Sequence, residues 1–317
     1  MTRTRRIITW TAATLVVILL ALGAAGWYLL DVALKPAPRS RDLPAAWTYL
    51  HDNYPHTRQW VDSLHRHHAL RDTFITSPAD GARLHGYYLP ATRPTLRTAL
   101  LIHGYTDNAL RMLMIGYLYQ HDLGYNIILP DLRNAGLSDG DHFQMGWRDR
   151  EDVKQWIGVG RHLFSDSLRM VVHGISMGAA TTMMLSGDSL PDCVRAFVAD
   201  CGYTSVWDEF KGELDTRYGL PEFPLLYVAS GLCRLRYGWS FGQASALRQV
   251  ARCHKPMLFI HGTADTFVPY WMLSKLYAAK PAPKQRWDVP GVEHARSYKT
   301  YPREYTRRVA QFLHGII

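Results

Sequence analysis

The hydrophobic positions divide the chain into one long apolar segment near its start and many short apolar runs after it. Residues 7–30 contain no charged side chain over 24 positions, which is enough for a helix that crosses a bilayer. Later, "DTFITS" and "ARLHGYYLP" flank the turn "PADG" and predict a β-hairpin. Six further apolar runs predict strands: "TALLIHG", "YNIILPD", "LRMVVHG", "VRAFVAD", "PMLFIHG" and "QRWDVPG".

The strands predicted after the hairpin are apolar throughout and are separated by stretches of helical spacing. This pattern is typical of a mostly parallel sheet that is buried on both faces between helices, which places the chain in the α/β class. The alternation breaks over residues 205–252, which are rich in aromatic residues and leucine and are interrupted by Pro221 and Pro224. We interpret this stretch as a helical lid inserted over the sheet.

The apolar segment also sets the domain organisation and the topology. The arginines of "TRTRR" precede it, so the positive-inside rule places the N-terminus in the cytoplasm. The segment is either a signal peptide cleaved near "LGAAG" or an uncleaved anchor. We favour a single-pass anchor in the cell membrane over residues 1–30, because the apolar run continues into "WYLL". Residues 31–70 are then a spacer and lead-in segment, and residues 71–317 form an extracytoplasmic α/β domain.

The charge excludes one class of function. The net charge is +9, but three of the 36 Lys and Arg residues belong to the anchor's flank, which leaves +6 on the remainder. These basic residues are scattered, and no basic run interleaved with aromatics occurs, so we expect no nucleic-acid partner. Mild positive charge instead suits a domain held beside anionic lipid.

The cysteines and histidines predict no metal or cofactor site. The four cysteines contain no C-x-x-C pair, and "HRHH" at residues 65–68 lacks convergent acidic partners in the sequence, which favours a solvated helical face. An extracytoplasmic location permits disulfides. Cys193 and Cys253 each precede a predicted strand, so a bridge between them is one alternative, and free buried cysteines are the other. The states of Cys201 and Cys233 stay open.

The stretch "VVHGISMGAA" contains the pattern G-x-S-x-G between a predicted strand and a predicted helix. In that context the glycines permit a sharp turn that presents the serine hydroxyl at the edge of the sheet. A serine becomes a good nucleophile only when an oriented base accepts its proton. We therefore predict that Ser176 is a nucleophile.

The base and its acid are expected after Ser176 in this architecture, in the order acid and then histidine. Four histidines follow Ser176, and His294 in "PGVEHARSY" is the one that lies in a loop after the last predicted strand. We predict that the acid is Asp265 in "HGTADTFVP", with Asp200 at the end of "VRAFVAD" as the alternative. Glu293 is expected to be a solvated charge.

Five motifs in this order, "LLIHGYTDN", "LPDLRNAGLSDG", "HGISMGAA", "FIHGTADTFVP" and "GVEHARSY", resemble the α/β-hydrolase superfamily. More narrowly, the chain is similar to bacterial hydrolases of the cinnamoyl-esterase-like, lysophospholipase-like and prolyl-oligopeptidase-like branch. The resemblance implies an α/β-hydrolase fold and a catalytic triad of Ser176, His294 and Asp265. It also implies an oxyanion hole made by the backbone N–H groups of Tyr105 and Met177.

These features lead to a function hypothesis with several alternatives. The first is a membrane-anchored serine hydrolase that cleaves a carboxylic ester through an acyl-enzyme, with a hydrophobic or aromatic acyl group in the substrate. A peptidase of the prolyl-oligopeptidase type, a thioesterase and an acyltransferase could all use the same triad. A scaffold that only binds a partner is the non-enzymatic alternative. Six aromatic residues in or next to the lid are candidates for lining an acyl pocket, or alternatively hold the lid to the body: Tyr203, Trp207, Phe210, Phe223, Tyr227 and Trp239.

Overall fold

A computed structural model describes residues 3–35 and 38–317 and shows an α/β-hydrolase fold built on an eight-stranded sheet. The strand order is β1-β2-β4-β3-β5-β6-β7-β8, with antiparallel pairing of β1 with β2 and of β2 with β4 and parallel pairing elsewhere. The strands are β1 (Arg71–Thr76), β2 (Arg83–Leu89), β3 (Arg97–Ile102), β4 (Asn126–Pro130), β5 (Arg169–Ile175), β6 (Val194–Asp200), β7 (Met257–Gly262) and β8 (Lys284–Val289). The predicted hairpin and all six predicted strands are thus confirmed.

Helices cover both faces of the sheet, so nearly every side chain of the central strands is buried. All positions of β4 and of β7 are buried, as expected for parallel strands that lie between two helical layers. The α-helices are α1 (Arg3–Leu34), α2 (Leu43–Asn53), α3 (Arg58–Arg66), α4 (Leu113–Gly116), α5 (Asp149–Leu163), α6 (Met177–Ser186), α7 (Val206–Tyr218), α8 (Leu225–Tyr237), α9 (Ala246–Val250), α10 (Trp271–Ala279), α11 (Ser297–Thr300) and α12 (Pro302–Leu313).

Helix α1 contains the apolar segment and is long and apolar enough to cross a membrane. Side chains 11–20 are all exposed, whereas Gly26, Leu30 and Leu34 are buried against the rest of the protein. The helix ends at Leu34, four residues beyond the predicted boundary at residue 30, and the Asp31 carboxylate within it is paired with Arg236 at 2.7 Å. Residues 1, 2, 36 and 37, which belong to the predicted anchor and spacer, lie outside the described residues.

The segment predicted as a lid, residues 205–252 and called the lid segment below, forms α7, α8 and α9. Its helix ends follow from local chemistry. The Ser205 hydroxyl caps α7 by accepting from the Asp208 N–H, and Gly219 ends α7 in the left-handed conformation at φ 61°. Gly238 ends α8 in the same way at φ 72°.

The bridge considered between Cys193 and Cys253 is not formed, although the strands they precede, β6 and β7, are parallel neighbours. Both cysteines are free and buried, as are Cys201 and Cys233. The Cys253 thiol instead donates to the carbonyl of Lys255 at 3.5 Å.

Candidate active site

Ser176 occupies the sharp turn between β5 and α6. Its backbone has φ 58° and ψ −122°, a strained conformation for a residue with a side chain. The turn needs both flanking glycines, because a Cβ on Gly174 would lie 2.0 Å from the Gly178 carbonyl oxygen and a Cβ on Gly178 would lie 2.0 Å from that of Ile102. The Ser176 N–H donates to the Asp200 carbonyl at 2.8 Å, which fixes the turn to β6.

The structure brings Ser176, His294 and Asp265 into one hydrogen-bonded chain. His294 Nε2 lies 2.9 Å from Ser176 Oγ, and His294 Nδ1 lies 2.7 Å from Asp265 Oδ2. His294 is in the loop after β8 and Asp265 in the loop after β7. Loops that follow three parallel strands meet at the carboxyl edge of the sheet, so residues far apart in the chain become neighbours.

Asp265 is held as an oriented carboxylate. Its Oδ1 accepts from the N–H groups of Phe267 at 3.0 Å and Val268 at 2.9 Å. Burial raises the pKa of Asp265, but hydrogen bonds from His261 and His294 outweigh burial and hold the pKa below its ordinary value. The carboxylate is therefore ionised at neutral pH, as needed to stabilise a protonated imidazole.

Asp200, the alternative acid, is not brought to His294. Its carboxylate accepts from the Tyr305 hydroxyl at 3.0 Å and the Ser297 hydroxyl at 3.4 Å. Burial raises the pKa of Asp200 to about 6. Glu293, the neighbour of His294 in sequence, is exposed and pairs with Arg296. The structure thus selects Asp265 as the partner of His294.

The Tyr105 and Met177 amides flank Ser176. Met177 is the first residue of α6, so its N–H has no acceptor within the helix. The loop after β3 that contains Tyr105, called the Tyr105 loop below, lies against Ser176, since a Cβ on Gly104 would be 3.4 Å from Ser176 Cβ. Tyr105, Met177 and Ser176 line one cavity together, so both amides belong to the surroundings of the hydroxyl.

His103 fixes the Tyr105 loop, a role that the sequence patterns did not indicate. Its Nε2 accepts from the Leu132 N–H at 2.9 Å, and its Nδ1 donates to the Gly104 carbonyl at 2.8 Å. This arrangement requires a neutral ring with the proton on Nδ1. Burial lowers the pKa of His103, which keeps the ring neutral.

Two cavities of different character meet at Ser176. The first is mostly apolar and is lined by α1, α7 and α8. The second is more polar, and His294 lines this second cavity. The first cavity is lined by Leu29, Leu30, Val32, Ala33, Tyr105, Met145, Ser176, Met177, Tyr203, Glu209, Phe210, Glu213, Leu214, Arg217, Tyr218, Leu225, Leu226, Ala229, Phe241 and Phe267.

Only part of the predicted aromatic lining is observed. Tyr203 and Phe210 line the apolar cavity. Trp239 is fully buried, and Phe223 and Tyr227 are exposed on the surface. Trp207 packs edge-on against Tyr227. No sequence pattern indicated the four α1 residues in the lining, because their role depends on how α1 packs on the domain.

The arrangement favours proton transfer over metal binding. Among the described residues, Cys201, Asp265 and His294 offer ligand atoms within 4.8 Å of one another. Both ring nitrogens of His294 are already engaged, however, and burial raises the pKa of the Cys201 thiol well above its ordinary value. A protonated thiol is a poor metal ligand.

The fold and this geometry define the class: the chain is a serine hydrolase of the α/β-hydrolase superfamily. Residues 117–316, more than half of the chain, match the model of the prolyl oligopeptidase family. The protein therefore belongs to the prolyl oligopeptidase family.

Several known proteins are similar over most of the chain. The uncharacterized protein YqkD of Bacillus subtilis is 30% identical over 243 residues, covering 77% of this chain and 79% of that protein. The esterase Pf2001 of Pyrococcus furiosus has a TM-score of 0.62 at 23% identity, covering 78% of this chain and 90% of that chain. The acylaminoacyl peptidase of Pyrococcus horikoshii has a TM-score of 0.58 at 16% identity, covering 78% of this chain and 42% of that chain. These two structures share the fold with this chain.

Proposed function

We propose that the protein is a membrane-anchored serine hydrolase that cleaves carboxylic esters with a hydrophobic acyl group. The observation that carries this proposal is the hydrogen-bonded chain Ser176–His294–Asp265 beside an apolar cavity. In this proposal Ser176 is the nucleophile, His294 the general base and acid, and Asp265 the group that orients and stabilises the imidazole.

The acylation half-reaction follows from the hydrogen bonds. The Ser176 oxygen attacks the ester carbonyl carbon while His294 Nε2 takes the hydroxyl proton. The oxygen of the tetrahedral intermediate becomes negative and accepts from the N–H groups of Tyr105 and Met177, each worth about 3 kcal/mol of transition-state stabilisation. The bond to the alcohol oxygen then breaks, and His294 gives its proton to the departing alcohol.

Deacylation repeats these steps with water. A water molecule gives a proton to His294 and attacks the acyl-enzyme, and the Ser176 oxygen leaves and regains the proton. The carboxylic acid is released and the enzyme is restored. The alcohol and the water must both exchange protons with His294, which lines the polar cavity. We therefore assign the acyl group to the apolar cavity and the alcohol to the polar one.

Peptide hydrolysis is the second candidate, because the family contains peptidases by name and the same triad can cleave an amide. The apolar lining of the first cavity is the observation that favours the ester assignment. Thioesters and acyl transfer stay open to the same chemistry, since the fold alone does not determine the substrate.

The anchor is the second part of the proposal. Side chains 11–20 of α1 are all exposed although this stretch is apolar, and exposed apolar surface of this length costs free energy in water. In a bilayer the cost disappears. We propose that residues 7–30 hold the protein in the cell membrane, with the N-terminus in the cytoplasm and the α/β domain on the outer side.

The catalytic proposal is tested by labelling the full chain, in a mild detergent, with a fluorophosphonate and locating the adduct by peptide mass spectrometry. We expect the adduct on Ser176, its loss in Ser176→Ala, and its retention in Ser274→Ala, because Ser274 is an exposed residue of α10. Turnover of p-nitrophenyl esters, a thioester and peptide anilides then ranks the substrate classes. A folded protein that takes no label would instead support the binding scaffold.

The anchor proposal is tested by fractionating cells that express the full chain and measuring the intact mass of the protein. We expect a protein that resists extraction with alkaline carbonate and retains residues 7–30. A soluble protein that begins near Gly26 would show instead that the segment is a cleaved signal peptide.

A further inference from the structure

The last turns of α1 form a wall of the cavity that contains Ser176. Leu29, Leu30, Val32 and Ala33 all line this cavity, and at 100° per residue these positions share one side of the helix. Val32 is 40% exposed, so it lies at the mouth of the cavity. The segment expected only to attach the protein to a membrane thus reaches the site of the proposed reaction.

This wall is fixed to the domain by specific contacts. Gly26 packs so closely on α8 that a Cβ would lie 2.8 Å from Val228 Cγ1. The Asp31 carboxylate pairs with Arg236 of α8 at 2.7 Å. The Phe143 N–H donates to the Leu34 carbonyl at 2.8 Å. These contacts set the distance between α1 and the lid segment, and therefore the width of the cavity.

The opposite wall suits an uncharged chain. Phe210, Leu214 and Leu226 contribute apolar surface from α7 and α8. Glu213 pairs with Arg217. Glu209 is 5% exposed, and burial raises its pKa well above the ordinary value, which favours the uncharged carboxyl group. Because Glu213 and Arg217 neutralise each other and the other walls are mostly apolar, an aliphatic chain can enter this cavity with little cost in desolvated charge.

The start of α8 lines the cavity through Leu225 and Leu226, and Tyr218, which also lines it, is partly exposed. Gly26 meets Val228 and Ala229, and Asp31 meets Arg236 further along, so α1 and α8 run in the same direction. The start of α8 therefore lies toward residues 7–20. The apolar side chains of this region are unusually exposed: Tyr218 by 45%, Leu220 by 38%, Phe223 by 70% and Tyr227 by 52%. Aromatic and aliphatic groups of this kind insert at a membrane interface.

We propose that the C-terminal turns of α1 and the lid segment together form an acyl site for a long-chain ester drawn from the bilayer. This inference rests on the proposed function, and it adds the substrate class and the residues that select it. The acyl chain lies between α1 and α8 with its carbonyl carbon at Ser176, and residues 29–33 of α1 determine the chain length that fits.

The wall is tested with two matched substitutions in the full chain, Ala33→Phe inside the cavity and Ala24→Phe on an exposed face of the same helix. The measured quantity is the ratio of kcat/KM for p-nitrophenyl octanoate to that for the acetate. We expect Ala33→Phe to lower this ratio at least about tenfold, because a filled pocket excludes the longer chain, and Ala24→Phe to keep it. An unchanged ratio in Ala33→Phe would overturn the assignment of the wall.

A second variant decides the outcome where Ala33→Phe does not fold. Leu29→Ala enlarges the cavity and is expected to shift the preferred ester toward longer chains. Labelling of Ser176 by a small fluorophosphonate reports a folded site in each variant. A wild-type protein that takes this label but hydrolyses no ester would contradict the proposed function. If the wild type is active and the variants keep its octanoate-to-acetate ratio, only the assignment of residues 29–33 to the acyl site is contradicted.

Access from the bilayer is tested with Phe223→Glu and Tyr227→Glu, which place charges on the exposed edge. The substrates are a fluorogenic oleate ester embedded in phosphatidylcholine vesicles and soluble p-nitrophenyl acetate. We expect the ratio of vesicle to soluble hydrolysis to fall at least about fivefold, as an inserted charge is costly at the interface. Equal ratios in wild type and variants would show that the substrate does not come from the bilayer.

Discussion

The Tyr105 hydroxyl donates a hydrogen bond of 2.7 Å to the carbonyl of Ala33. This bond joins the last turns of α1 to the loop that carries one of the two amides assigned to the oxyanion hole. The Tyr105 ring also packs edge-on against Phe143, whose own N–H donates to the Leu34 carbonyl. The end of α1 and the Tyr105 loop therefore hold each other in place.

Removing this hydroxyl tests the connection. Tyr105→Phe keeps the backbone amide and the ring but deletes the bond to Ala33. We expect the free energy of unfolding to fall by about 1 kcal/mol, the usual value for one partly buried hydrogen bond, and kcat for a short ester to fall several-fold. Urea unfolding and steady-state kinetics measure the two effects, with Tyr28→Phe on the exposed face of α1 as the control. A Tyr105→Phe protein identical to wild type in both measurements would show that the bond positions nothing.

The assignment of Asp265 and not Asp200 as the acid predicts that kcat falls more in Asp265→Asn than in Asp200→Asn. Asp265→Asn removes the charge that orients His294, and we expect kcat to fall by about 10³–10⁴ with the fold retained. Asp200→Asn is expected to affect kcat much less, because Asp200 contacts Tyr305 and Ser297 and not His294. Steady-state kinetics on both variants measure the order, and a larger loss of kcat in Asp200→Asn would contradict the assignment.

Local patterns predicted much of this structure because the relevant interactions are local. The two glycines around Ser176 are required by backbone contacts within the turn, and the buried strands are apolar on both faces, so each was visible in the sequence. The end of α1 was not predicted. The charge of Asp31 suggested a boundary, but its carboxylate is satisfied by Arg236, which is 205 residues away in the chain.

The role of His103 could not be predicted from the sequence either, because it depends on a tertiary hydrogen bond. Its ring is flanked by apolar residues in the sequence, and nothing nearby indicates that its Nε2 accepts from Leu132. Leu29 and Ala33 likewise line one cavity with residues of α7 and α8, which are distant from them in the chain. Such contacts depend on packing, which a single sequence does not display as periodicity or motif.

A buried carboxyl near the start of α5 predicts a pH dependence of stability. Burial raises the pKa of Asp149 from 3.8 to about 7, while its Oδ2 accepts from the Gly146 N–H at 2.7 Å. Between about pH 4 and pH 7 the folded state therefore keeps a proton on Asp149 that the unfolded state has released. The contribution of this group to stability is complete below about pH 4 and is lost as the pH rises toward 7.

Asp149→Asn keeps a carbonyl acceptor for Gly146 and removes this titration. We expect the variant to gain stability relative to wild type between about pH 4 and pH 7, by at most about 4 kcal/mol, since one pKa unit corresponds to about 1.4 kcal/mol. Urea unfolding of both proteins in the same detergent across this range measures the difference. A constant difference at every pH would show that Asp149 does not titrate in the folded protein.

The packing of α1 on α8 predicts opposite outcomes for two glycines one helical turn apart. A Cβ on Gly26 would lie 2.8 Å from Val228 Cγ1 and 3.3 Å from the Ala229 nitrogen, whereas a Cβ on Gly23 would have no neighbour within 4 Å. Gly26→Leu must therefore push the helices apart and widen the proposed acyl site, while Gly23→Leu adds apolar surface to an open face. We expect Gly26→Leu to lower the thermal unfolding temperature and to make the α7–α8 connection sensitive to protease, and Gly23→Leu to do neither. The two variants carry the same side chain on the same helix, so equal protease sensitivity would mean that α1 does not hold the lid segment, and the cavity width would then depend on the domain alone.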